Sequence, residues 1–556
     1  VKNMTYDLLI KGGTIVDGTG KQRYKGNLAI KDGRIAAVGD VDGPATRVID
    51  AGGQIVAPGF IDCHTHYDAQ MFWDPAIDPA TWHGITTIVV GNCGFTLAPV
   101  RPDDKAYALG LFSATEEVPL DVLEDNLPLE WETFPEYLDR VEKVACGVNV
   151  LTLFGHAAVR RYVMGEDSLK RDATPAEIAE MVRLAREAMD AGAWGVSTSF
   201  SPHHIDGSGG HVPSFFSADD ETEALAVAVG QSGKRSFALN PRSKREGISD
   251  ADKALMSRLA KASGVTISWN DFGAGAPNWL STIEFMEDEI RQGRDVRVVA
   301  RCQPAETRFT AGQISPLYSG DADWREFCKL DRDAQLQAIA QPAWRERLGK
   351  YWRNVSYLTS AMVEKVQNPA LEPLRGRYLT DIAAERGVDP VDLMFDIVEE
   401  DGLGTIILLR GRPKDDESVA ERILRSPSTL IGVSDGGAHL QTFAGADFPT
   451  YFLQHWVREK ATFTLEEGVA ALTSEVAAFM GLKDRGVLEP GKAADVVIFD
   501  AETVQPEALE TLEFPGGKAI RLAKRARSVP YVIVNGTPII DQGERTSAAP
   551  GHLLRA

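Results

Sequence analysis

From residue 59 to about residue 480, short β-type runs alternate with helical patterns, and nothing else in the chain restricts its fold as strongly. Ile85-Thr86-Thr87-Ile88-Val89-Val90 is β-branched throughout and reads as a buried strand. Similar runs lie at 149–154, 195–199, 236–239, 265–268, 297–300 and 430–433, and one more ends at His64. Helical stretches separate them. Thr174-Pro175-Ala176-Glu177 opens one with a capping residue, a first-turn proline and an acidic residue, leading to Met181, Leu184 and Met189. Strands alternating with helices make a parallel α/β fold. About eight of them in this span predict a (β/α)8 TIM barrel, which builds its site at the C-terminal ends of the strands.

The ends of the chain read differently. Residues 6–58 alternate β-type runs with turns, and Lys31-Asp32-Gly33 is a hairpin signal. Residues 495–499 and 531–540 repeat the style. Neither end has enough strands for a stable sheet of its own, so the two are expected to combine. This gives a small β domain from 1–58 and 481–556 and a barrel domain from 59 to 480. Within the barrel span, Trp324, Phe327, Leu330, Leu336, Ile339, Trp344 and Trp352 lie in a charged helical region. It predicts a helical insertion, about 305–395, over the barrel mouth.

Composition excludes several classes of function. A hydrophobic fraction of 44% with 25% charged residues is that of a soluble globular protein. No run of eighteen apolar residues offers a membrane span. The start of the sequence runs directly into a strand pattern, without the look of a signal peptide. The net charge of −21 argues against nucleic acid as a partner. Five cysteines, an odd number without regular spacing, do not form a disulfide framework and fit a cytoplasmic protein. Cys63, Cys146, Cys302 and Cys328 read as small buried residues, and Cys93 alone sits in a motif that points to chemistry.

That chemistry starts at His64 and His66. In an extended chain residues i and i+2 point to the same side, so the two imidazoles can meet at one divalent cation. The surrounding APGFIDCHTHYD (57–68) resembles the first-strand signature of the amidohydrolase superfamily. GNCGF (91–95), GHAAVR (155–160), GVSTSF (195–200), LTSEVAAFMGLKDRGVLEPGKAADVVIFD (472–500) and YVIVNGTPIID (531–541) resemble its N-acyl-D-amino-acid deacylase branch. The resemblance implies a small β-sandwich built from both termini. It also implies metal-dependent hydrolysis of a C–N bond in a small molecule, with His64 and His66 as ligands. Cys93 matches a metal-ligating cysteine, for which a thiolate is well suited. Asp435 matches the aspartate that touches metal and handles the proton of the attacking water.

The sequence also departs from this pattern. Where the family has Ala-Thr-His-Ile-Arg it reads Ala238-Leu239-Asn240-Pro241-Arg242, and where the family has Ile-Ser-His-Leu-Lys it reads Ile267-Ser268-Trp269-Asn270-Asp271. Two histidine ligands thus become Asn240 and Trp269. An amide oxygen is a poor zinc ligand and an indole only donates, so one zinc ion per chain is expected rather than two. A lysine is replaced by Asp271, and the arginine expected near 440–450 is missing. The substrate is therefore expected to be other than an ordinary N-acyl-D-amino acid. His156, Asn240, Trp269 and His439 are the substrate-binding candidates, while His203, His204 and His211 read as loop residues. A lactonase or carbamate hydrolase on the same scaffold, or a non-catalytic binding relative, are the alternatives. A homo-oligomer is compatible with the sequence.

Overall fold

A computed structural model describes residues 5–556, apart from 235, 244–246, 271, 314, 316, 319, 412–416 and 518. Its centre is a sheet of eight parallel strands: β1 (Phe60–Asp62), β2 (Ile85–Val90), β3 (Asn149–Gly155), β4 (Gly195–Ser199), β5 (Ser236–Asn240), β6 (Thr266–Asn270), β7 (Val296–Ala300) and β8 (Thr429–Ile431). Each strand pairs with the next in chain order, from β1 at one edge to β8 at the other. The two edges are then joined. His64–Thr65, just beyond β1, pairs in parallel with Val433–Gly436, just beyond β8. All six residues of β2 are buried, as a β-branched run covered on both faces must be.

Local chemistry sets the crossovers. Thr174 accepts from Glu177 N while the Glu177 side chain reaches back to Thr174, a capping box at the start of helix Pro175–Ala191. That helix buries Met181, Leu184 and Met189 against the sheet side. Ser249 caps helix Asp250–Ser263 by accepting from Asp252 N.

The two ends of the chain share one nine-stranded sheet. Ile55–Pro58, which leads directly into β1, lies antiparallel to Val496–Phe499 and forms the join. Asp32 (φ 50°) and Gly33 (φ 72°) make the two-residue turn between Tyr24–Lys31 and Arg34–Gly39, where both positions need left-handed backbone. A separate hairpin, Gln505–Glu513 with Ile520–Arg527, has no counterpart in the sequence reading.

Between β7 and β8 the described residues form six α-helices and a three-stranded antiparallel sheet of Glu306–Phe309, Ala361–Lys365 and Ile406–Arg410. Trp324, Phe327, Trp352 and Phe395 belong to a core of their own there. Among the described residues no helix is long and apolar enough to cross a membrane.

Candidate active site

The C-terminal ends of the parallel strands collect the polar residues. His64 and His66 follow β1, Cys93 follows β2, Asn240 ends β5, Asn270 ends β6, Arg301 follows β7 and Asp435 lies beyond β8. The His64, His66 and Cys93 donor atoms all lie within 4.8 Å of one another, and all three residues are buried. Cys93 Sγ is 3.7 Å from His64 Nε2 and 3.9 Å from His66 Nε2. Asp435 Oδ1 is 3.5 Å from His64 Nε2 and 3.9 Å from His66 Nε2. Two of these four residues hold left-handed backbone, Cys93 at φ 55° and Asp435 at φ 50°. Such conformations in residues with a Cβ are costly and concentrate at functional sites.

The surroundings set the charge. Burial opposes ionisation of Asp435, but Arg301, His64, His66 and His439 hold its carboxyl well below the usual range. Arg301 Nη2 donates to Asp435 Oδ2 at 3.0 Å, and its guanidinium lies 4.3 Å from the centre of the Phe443 ring. Helix Lys105–Glu116 ends at the site. Glu116 Oε1 lies 3.4 Å from His66 Nδ1, and burial pushes this carboxyl up to about 8. Glu117 accepts from His439 Nδ1 at 3.0 Å and from Thr442 Oγ1 at 2.8 Å. Burial disfavours charge on His439, yet the Glu117 hydrogen bond and the carboxylates of Glu117, Glu116 and Asp435 raise it to about 9. A cavity of about 450 Å³ opens from this cluster, with His66, Cys93, Asn240, Asn270, Asp435 and His439 in its wall.

The sequence candidates divide. His64, His66, Cys93, Asn240, Asp435 and His439 come together. Asn240 Nδ2 donates to Cys93 Sγ at 3.0 Å, while its Oδ1 is buried without a hydrogen-bond partner. His156 does not reach the cavity. It is fully buried, with Nδ1 on Thr198 Oγ1 at 2.8 Å and Nε2 on Glu221 Oε1 at 2.7 Å, in a cluster with buried Arg160. Trp269 also fails as a substrate contact. Alternation along β6 turns it away from the site, where its Nε1 donates to Met286 Sδ at 3.2 Å and its ring packs edge-on to Phe272. The neighbouring Asn270 points inward instead, with Nδ2 3.1 Å from His64 Nε2. Asp271 lies outside the described residues.

Four residues of the site are not among the sequence candidates. Arg301 is the first residue after β7, a position that could have nominated it. Asn270 was one step from the residue chosen. Glu116 and Glu117 carry no local signal. His203 and His204, read as loop residues, both line the cavity, and His204 Nδ1 bonds Ser199 Oγ at 2.7 Å.

Imidazoles, a thiol and a carboxylate gathered at the C-terminal mouth of a parallel sheet define a metal-dependent hydrolase. The chain belongs to the amidohydrolase family, whose model matches residues 47–540, and is thus a hydrolase of carbon–nitrogen bonds. It is 31% identical to the D-aminoacylase of Alcaligenes xylosoxydans xylosoxydans, over 99% of this chain and 97% of that protein. The N-acyl-D-glutamate deacylase of Bordetella bronchiseptica, solved with zinc and a phosphonate mimic of the tetrahedral intermediate, superposes with a TM-score of 0.70 at 27% identity, covering 100% of both chains. A D-aminoacylase crystal structure gives 0.69 at 27% identity, over 99% of this chain and 100% of the other.

Proposed function

We propose that this chain hydrolyses the amide bond of a small molecule other than an ordinary N-acyl-D-amino acid, using one zinc ion held by His64, His66, Cys93 and Asp435. The convergence of those four side chains carries the reading. The donors fit the ion, since imidazole and thiolate are good zinc ligands. Asn240 and Asn270 supply only carboxamides beside them, which supports one ion rather than two. When bound, such a cation lowers the pKa of a water and polarises a carbonyl.

The chain's own groups do the rest. Asp435, kept ionised by Arg301, accepts the proton of the attacking water and returns it to the leaving nitrogen, which must be protonated to depart. His439, aimed by Glu117, which Thr442 holds in turn, and Asn240 offer donors for the charge that develops on the carbonyl oxygen. Arg301 and His439 are both committed to carboxylates, Asp435 and Glu117, so neither is a ready anchor for a substrate carboxylate. This supports a neutral or differently charged substrate.

The same reading takes the eight-stranded sheet as a (β/α)8 barrel closed by the pairing of His64–Thr65 with Val433–Gly436. It takes the terminal sheet, with apolar clusters around Ile10 and Leu9, as a small β-sandwich domain of 1–58 and 481–556. It takes the chain from about 305 as an insertion on the 59–480 barrel, running past the expected bound of 395 because strand Ile406–Arg410 belongs to its sheet, and Ala305, Glu306, Thr307 and Leu317 line the cavity. An odd number of cysteines without regular spacing supports a cytoplasmic setting.

The test is a panel of neutral amides, lactones, carbamates and N-acetyl-D-amino acids, with Asp435→Asn as the control. Turnover of a neutral amide should fall by about 10²–10⁴ in the variant while an analogue still binds. N-acetyl-D-amino acids as the best substrates, or an active Asp435→Asn, would overturn the proposal.

A further inference from the structure

We propose that Ser197 is a positioning residue for the Cys93 thiol, a role that rests on the reading of Cys93 as a metal ligand. Cys93 is held at φ 55°, ψ 6° between Gly91 and Gly94, both at φ 81°. Glycine adopts this left-handed backbone readily and cysteine does not, so the turn needs something to hold it. Ser197 does this from β4, two strands away across the sheet. Its hydroxyl is fully buried, donates to Gly91 O and accepts from Gly94 N at 2.9 Å. One oxygen thus ties both ends of the turn that carries Asn92 and Cys93.

The other side of the turn is tied to the histidines. Asn92 Nδ2 donates to Thr65 O at 3.2 Å and to Val89 O at 3.0 Å, and Thr65 lies between His64 and His66. The thiol is therefore registered to the imidazoles through Asn92 and to the sheet through Ser197. The fit is tight. A Cβ on Gly155 would come within 2.6 Å of Gly94 O, and one on Gly91 within 2.4 Å of Leu153 O. Without the Ser197 hydroxyl, Gly91 O and Gly94 N lose a buried partner, and the turn is released toward ordinary backbone angles that carry the sulfur away from the histidines.

Cobalt(II) alone is the probe. Parent, Ser197→Ala, Ser197→Thr and Cys93→Ala are loaded with it, and three quantities are read: the near-ultraviolet sulfur-to-cobalt charge-transfer band, the cobalt Kd by chelator competition, and circular dichroism for the fold. The parent should show the band and Cys93→Ala should lack it. Ser197→Ala should keep the fold, lose most of the band at saturating cobalt, and bind cobalt about tenfold more weakly. Ser197→Thr, which keeps the hydroxyl, should restore both. A parent without the band would overturn the ligand assignment of Cys93, and this role with it. A Ser197→Ala protein with the parent's band and an unchanged Kd would overturn the positioning role alone. Should Ser197→Ala not fold, Ser197→Val, which matches threonine in shape and lacks the hydroxyl, is read by the same two outcomes.

Discussion

Replacing Glu221 with glutamine tests whether His156 belongs to the scaffold or to the substrate. Glu221 is fully buried and accepts from His156 Nε2 at 2.7 Å and from Arg160 Nη1 at 2.5 Å. Burial alone would raise its pKa, but the hydrogen bond to His156 and the charges of His156 and Arg160 bring it below the ordinary value of 4.5. Glutamine keeps the shape and removes the charge. The Arg160 guanidinium, 0% exposed, then has no counter-charge, only neutral acceptors: the glutamine amide oxygen and the backbone carbonyls of Ser168, Pro213, Arg171 and Phe216. Removing one partner of a buried ion pair costs about 3–5 kcal/mol. In a chain of this length that lowers the thermal midpoint by about 3–4 °C. The sign of the pH dependence follows from the lowered pKa. The contribution is present above the unfolded value and fades as pH falls through the folded one, so parent and variant should converge in acid. Thermal melts across that range, with KM for the best substrate at neutral pH, are the assay. A lower midpoint with unchanged KM is expected. An unchanged midpoint at pH 7 with a raised KM would refute the reasoning and return His156 to the substrate.

Three further outcomes are expected. Trp269→Ala should destabilise by about 3–5 kcal/mol as a buried large-to-small change and leave KM alone; a raised KM in a stable variant would put the indole back in the site. Asn240→His with Asn270→His should raise the zinc content by a second ion per chain, measured by elemental analysis after loading with excess zinc, and an unchanged content would show that the carboxamides do not set the stoichiometry. The His439–Glu117 pair should stabilise in full below the ordinary histidine value of 6.5 and lose its effect as pH rises through about 9; melts of Glu117→Gln and parent should therefore converge toward alkaline pH, and a constant difference would count against the pair.

The strands were legible because β-branched runs such as Ile85–Val90 have no other good home, and the convergence of the proposed metal donors because His64 and His66 share one side of an extended chain. What escaped depended on facing and on distance. At 269 and 270, a shift of one position on a strand exchanges the residue in the site for one in the core. His156 stands in the same kind of motif as Cys93, but its destination depends on Glu221, 65 positions away. Arg301, Glu116 and Glu117 gain their roles only from what the folded sheet brings beside them.

The seam where the sheet's two edges meet also sets an order in time. Cys63 Sγ donates to Gly432 O across it at 3.6 Å, from 369 positions away in the chain. At about 5–20 residues per second of synthesis, roughly 20–70 s separate the emergence of those two partners. For most of that interval His64, His66 and Cys93 are made and Asp435 is not. A nascent chain can therefore gather the proposed donors for a cation well before it has the carboxylate proposed as the base. It must also carry an unpaired strand edge until the last strand arrives, which makes the seam the place where assembly is most exposed to pairing with another chain.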